Sequence, residues 1–168
     1  ILIKDLVREV PGPTVRSFLL GTHYRSPANY TDEGIKSAGA GLTRVHQAWD
    51  VLAERAKSAA EAAGADDGRL HAAVVELDRD FHVAMDDDFN TPVAQAAVFE
   101  FAKKVNGLVG AAPAVSRAAW KEAHDALSAM AGEVLGILPD PADRRSAMAG
   151  DVAGVMQVVL DVRRMLRE

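Results

Sequence analysis

The amino-acid sequence predicts an all-α fold: an antiparallel helical bundle preceded by a short helical connecting segment. Three observations carry that expectation. Through most of the chain apolar residues recur in alternating steps of three and four, which lines one helix face and offers a seam to a partner helix. Alanine, leucine and valine are abundant, aromatic residues make up only 5% of the chain, and β-branched residues fall singly rather than in the alternating runs a strand needs. Proline and glycine gather at a few breaks between the periodic stretches, where they end helices. With 168 residues the chain is long enough to enclose one core.

The first helix is expected over residues 3–9, stopped by Pro11-Gly12-Pro13, because proline pushes the residue before it out of the α region. A second covers 14–23, with Val15, Phe18, Leu19 and Thr22 on one face, and Ser26-Pro27 ends it. These two make residues 1–30 a small unit of their own. The longest helix starts after Tyr30, with Thr31 as its cap and Asp32 and Glu33 in the first turn, where carboxylates complement the positive end of the helix dipole. Its seam is Ile35, Ala38, Leu42, Val45, Trp49, Leu52, Ala56, Ala59 and Ala63. Ending near Gly64, it would be roughly 48 Å long at 1.5 Å per residue. A fourth helix carries Leu70, Val74, Leu77, Phe81 and Ala84 and runs out at Asp86-Asp87-Asp88. Asn90-Thr91-Pro92 then reads as an N-cap and an N1 proline, opening a helix with Ala94, Val98, Phe101, Val105 and Leu108. Beyond the break at 110–113, Trp120, Ala123, Leu127, Met130, Val134 and Ile137 mark another seam. After Pro139-Asp140-Pro141 the last is marked by Val152, Val155, Val159, Val162 and Leu166. Residues 31–168 thus form the bundle proper.

Charge narrows the function. The net charge of −5 argues against gripping nucleic acid by electrostatics alone, since that requires Lys and Arg to displace counterions. The front is nevertheless mildly basic: Lys4, Arg8, Arg16, Arg25, Lys36 and Arg44 stand against Asp5, Glu9, Asp32 and Glu33. The chain contains no cysteine, so a metal would have only His and carboxylates to bind. Asp86, Asp87 and Asp88 match no known cation-loop spacing and are better read as acids beside the positive end of the next helix. Of the five histidines, at 23, 46, 71, 82 and 124, no two are four apart as a helical zinc pair requires. Neither a dinucleotide-binding nor a phosphate-binding glycine loop occurs, and no nucleophile elbow. No catalytic, cofactor-binding or metal-binding residue is therefore assigned. The start at Ile1 rather than Met is expected of a segment of a longer polypeptide. No run of about eighteen apolar residues and no secretory leader is found, so no membrane partner is expected and the location is expected to be cytoplasmic.

One connector is unusually rich. His23-Tyr24-Arg25-Ser26-Pro27 followed by Asn29-Tyr30-Thr31 places two ring systems and a guanidinium between helices. Arg25 and His23 are suited to a phosphate or a carboxylate, and Tyr24 to stacking on a base or bracing a neighbouring domain. The alternative is a hydrogen-bonded corner that fixes the angle between two helices.

The order Phe18-Leu19-Leu20-Gly21-Thr22-His23-Tyr24-Arg25-Ser26-Pro27, then Asn29-Tyr30-Thr31-Asp32-Glu33, then Met85-Asp86-Asp87-Asp88-Phe89-Asn90-Thr91-Pro92 resembles the cysteinyl-tRNA synthetases. Two separated blocks in the right order make the match specific, although beyond Gly110 only helical pattern supports it. The resemblance implies that residues 1–30 are the connecting segment after the K-M-S-K-S loop and that residues 31–168 are a helical domain of the class I synthetase anticodon-binding type. It implies a parent enzyme that activates cysteine with ATP and transfers it to cysteine tRNA, with ATP and zinc held by a catalytic domain outside this chain. The implied partners are cysteine tRNA and that catalytic domain, in a monomer. Arg16, His23, Tyr24, Arg25 and Arg44 are the candidate contacts to tRNA or to the neighbouring domain. Two alternatives stand beside this. One is the related mycothiol-pathway ligase, which joins cysteine to an amino sugar without tRNA; Phe89-Asn90 and the long bundle favour the synthetase. The other is a stand-alone helical interaction module.

Overall fold

The computed structural model describes residues 2–111 and 114–139; the helix expected around 152–166 lies outside them. Among the described residues the regular structure is entirely helical: α1 (Ile3–Glu9), α2 (Gly12–Leu20), α3 (Asp32–Ser58), α4 (Asp67–Asp86), α5 (Thr91–Gly110) and α6 (Arg117–Leu127), which runs on into a π-helical segment, Ser128–Val134. The all-α expectation holds.

Four of these helices enclose the main core. α3 packs against α5 and α6, and α4 packs against the same two. Consecutive helices α3 and α4 therefore lie on a diagonal, as do α5 and α6, and only the α4–α5 turn joins direct neighbours. The seams read from the sequence fill the centre: Leu42, Val45, Leu52, Leu70, Phe81, Val98, Phe101, Val105, Trp120 and Leu127 are all buried. A smaller cluster of Leu6, Val15 and Ile35, with Val10 and Phe18 against it, ties α1 and α2 to the start of α3. Thr31 caps α3 as expected, its Oγ1 accepting from the Gly34 amide at 3.0 Å.

Some boundaries differ from those expected, and at the ends of α2 and α3 a tertiary hydrogen bond is the reason. α2 begins at Gly12, so Pro13 sits in its first turn rather than before it. It ends at Leu20, not near His23, because Leu20's carbonyl is taken by the Thr91 hydroxyl at 2.9 Å; the last carbonyls of a helix lack partners of their own. α3 stops at Ser58, short of the expected Gly64. Arg117 takes the next two carbonyls, its amide bonding Ala60 at 2.8 Å and its Nε bonding Ala59 at 3.1 Å. Gly64 instead marks a crossing, since a Cβ there would lie 2.1 Å from the Ala114 carbonyl oxygen.

Three seam positions are corrected as well, the first being Ala63, which is exposed and lies past the end of α3. Ala48 is fully buried while Trp49 sits half-buried at the edge of the core; its indole N–H donates to Ser128 Oγ at 2.8 Å, which holds a polar edge toward the rim. Val134, expected inside, is 55% exposed. The π-helical turn is the cause, because its wider pitch shifts every later side chain around the axis. The chain then turns at Gly136, at φ +61°, and Ile137 returns to the core from outside the helix, completely buried.

Candidate nucleic-acid interface

The two sequence blocks that stood out meet in space. After α2 the chain turns through His23, Tyr24 and Arg25, and this corner lies against the α4–α5 turn. Tyr24 donates its hydroxyl to Asp88 Oδ1 at 2.7 Å. Arg25 binds the same carboxylate, with Nε 2.8 Å from Oδ2 and a terminal nitrogen 3.1 Å from Oδ1, and Nε also donates to the Tyr24 oxygen at 2.9 Å. His23 stacks on Tyr24 with ring centroids 4.8 Å apart, and its Nε2 is 4.0 Å from Asp88. The guanidinium lies 5.4 Å from the Tyr24 ring centre, within cation–π range. The bond to Asp88 raises the Tyr24 pKa above the ordinary phenol value, while the bond from Arg25 opposes that rise. This is the hydrogen-bonded corner, with the charge of Arg25 answered by Asp88.

Sequence reading did not find Asp88 as the anchor. Its carboxylate faces the corner because Asp88 and Phe89 both adopt left-handed backbone, at φ 54° and 52°, which costs roughly 1–2 kcal/mol for each residue that is not glycine. The run of three aspartates was the available signal, but nothing in it marks which one turns. Asn90 caps with its backbone alone: its side-chain amide donates to Asp87 at 3.3 Å rather than receiving an amide of α5. Pro92 occupies the second helical position, not the first as expected, because α5 already begins at Thr91. Underneath, Gln95 is buried and donates to the Ser17 carbonyl and hydroxyl, so α2 is fastened to α5 inside as well as at the surface.

The other two candidates lie elsewhere. Arg16 donates to the Gly136 carbonyl, tying α2 to the end of the π-helical segment. Its carbon Cζ would lie 3.2 Å from any Cβ at 136, so the arginine occupies the space that glycine leaves. Arg44 is exposed on α3 beside Phe99 and Lys103 of α5 and has no ion pair among the described residues. Only the three consecutive candidates are brought together.

Among the described residues no three His, Asp or Glu side chains are grouped so as to hold a metal ion. His71 instead pairs with Glu122 at 2.9 Å and His82 with Asp78 at 3.4 Å. His46 donates to the Ile137 carbonyl at 2.9 Å, and His124 stacks on Trp49. No helix among the described residues is long and apolar enough to cross a membrane.

A helical bundle whose second motif block forms the α4–α5 turn has a known counterpart: residues 80–139 match the family model of the DALR domain, an all-helical domain. The particular family follows from relatives that match along the chain. It is 37% identical over 171 residues to the cysteine–tRNA ligase of Desulfitobacterium hafniense, covering 99% of this chain and 35% of that protein. The corresponding enzyme of Moorella thermoacetica is 32% identical, over 99% of this chain and 36% of its own length. That of Thioalkalivibrio sulfidiphilus is 41% identical over 116 residues, or 66% of this chain and 22% of its own. The chain is homologous to part of the cysteine–tRNA ligases, as its motifs implied, and spans about a third of the length of the curated relatives that match it end to end.

Proposed function

We propose that this chain is the tRNA-binding and tRNA-positioning part of a cysteine–tRNA ligase whose catalytic domain lies outside it. The end-to-end similarity to cysteine–tRNA ligases carries this reading. In that enzyme, cysteine is activated by ATP and transferred to cysteine tRNA; ATP and zinc belong to the catalytic domain, and this chain contributes no catalytic residue. Its contribution is entropic, holding a bound tRNA so that the acceptor end meets the activated amino acid in a reactive geometry. Residues 1–30 act as the connecting segment and residues 31–168 as the helical domain.

Within this reading the corner of His23, Tyr24 and Arg25 sets the angle between the connecting segment and the bundle. Its guanidinium is engaged by Asp88, which suits a joint better than a phosphate contact, and Arg16 braces the same segment through Gly136. The enzyme works as a cytoplasmic monomer.

The test is directed cleavage of cysteine tRNA by a hydroxyl-radical probe attached along α3 in the intact enzyme. Cuts confined to one side of the tRNA, and absent from an unrelated tRNA, are expected. Charging of cysteine tRNA that is unaffected by deletion of residues 31–168 would overturn the reading.

A further inference from the structure

The geometry points to a nucleotide-binding groove between α3 and α5, in which Arg44 and Lys103 take a tRNA phosphate while a base or ribose lies against Phe99. This rests on the tRNA-binding reading above and names the surface that would serve it. The hollow measures about 280 Å³, and its walls include Ser37, Gly41 and Arg44 from α3 with Phe99, Glu100 and Lys103 from α5. Arg44 is exposed and has no ion pair among the described residues. Lys103 pairs with Glu100 at 3.2 Å, with both side chains mostly in solvent. Such a pair is worth little and exchanges readily for a phosphate.

Gly41 carries the argument furthest. Glycine inside a helix destabilises it by roughly 1 kcal/mol relative to alanine, so packing has to justify it or something else does. At Gly34, on the same helix, packing does: a Cβ would meet the Phe18 ring at 2.9 Å, too close to tolerate. At Gly41 a Cβ would lie 3.4, 3.7 and 3.8 Å from three atoms of the Phe99 ring, which is ordinary contact. Alanine would fit and would favour the helix. What glycine does here is leave the half-buried Phe99 ring without a methyl group over it, in a hollow that Arg44 and Lys103 also line. An aromatic face flanked by Lys and Arg is the chemistry that holds single nucleotides of RNA by stacking and charge. By contrast, a second hollow of about 440 Å³ between α4 and α5 has Glu76, Asp80 and Glu100 at its rim with Lys104, and that balance repels phosphate.

The experiment uses the intact enzyme containing this chain, with cysteine tRNA as the probe. Arg44→Ala combined with Lys103→Ala should raise KM for the tRNA about ten-fold and lower the salt dependence of binding by about one ion, for the one phosphate contact removed. Cysteine-dependent ATP–pyrophosphate exchange should stay unchanged. Gly41→Ala, which favours the helix, should keep the thermal midpoint at or above the original and still raise KM severalfold. An enzyme that charges tRNA with unaltered KM and salt slope in both variants overturns the groove and leaves the tRNA-binding reading standing. Loss of exchange and charging together also overturns it, by making the residues structural. A starting enzyme that does not charge cysteine tRNA overturns both readings.

Discussion

At the N-terminal end of α4, Asp66 and Asp67 bind backbone amides; at its C-terminal end, Asp88 binds side chains. Asp67 accepts from the Ser116 amide at 2.7 Å and the Gly64 amide at 3.0 Å, and Asp66 accepts from the Ala114 amide at 3.0 Å. These bonds stitch the α3–α4 connection to the stretch leading into α6, the two links that must cross a diagonal of the bundle. An amide cannot move without its chain, so this end is fixed by architecture. The partners at the other end, Tyr24 and Arg25, stand on rotatable bonds at an exposed corner. One end of α4 is a weld and the other a joint, although both are built from aspartates.

Breaking the weld should cost most. Gly64→Val would drive a side chain into the Ala114 carbonyl and should destabilise by about 3 kcal/mol, the upper part of the overpacking range, read as a fall in the urea midpoint. Trp49→Ala, at the half-buried edge midway along the bundle, should cost about 2 kcal/mol, below the range for fully buried aromatic residues. A midpoint left unchanged would contradict the register of α3. The joint should respond the other way at Phe89, which is 63% exposed. Phe89→Gly relieves a left-handed backbone and should stabilise by roughly 0.5–1 kcal/mol; a loss of stability would mean that the ring packs usefully.

Asp88→Asn should cost less than about 1 kcal/mol, as exposed ion pairs do, but should lower the Tyr24 pKa toward the ordinary phenol value. Tyr30, the other tyrosine, is raised mainly by its bond to Asp32 and should titrate unchanged, which makes an ultraviolet difference titration self-controlled. Asp67 sharpens the comparison through pH. The Ser116 and Gly64 amides hold its pKa below the ordinary carboxylate value. Its contribution is therefore present above the unfolded value of about 4 and is lost as pH falls through the lower folded value. Asp67→Asn should flatten that acid limb of stability, read as a urea midpoint that falls less steeply as the pH is lowered.

Much of this was legible in the residues. Alternating three and four spacing placed Leu42, Val45, Leu70, Phe81, Val98 and Trp120 in one core, and Thr31 marked its helix start because capping is local chemistry. Trp49 and Val134 were misplaced for a shared reason. A side chain with a polar edge is drawn toward a partner on another helix, and a π-helical turn changes the period partway along; neither is written in the spacing. His23, Tyr24 and Arg25 were visible as a cluster, but Asp88 was not, since its partners are more than sixty positions away and its backbone leaves the usual region.

Local pattern along the chain suffices for the class of fold, the order of the helices, most of the buried seams and, through two motif blocks, the kinship with cysteine–tRNA ligases. These depend on interactions within a few residues or on patterns that survive averaging along a helix. The tertiary structure decided which helices lie on diagonals, where α2 and α3 stop, which aspartate holds the corner, and that Arg44 stands beside Phe99 and Lys103. Each of those depends on a partner far along the chain, and no local propensity can choose it.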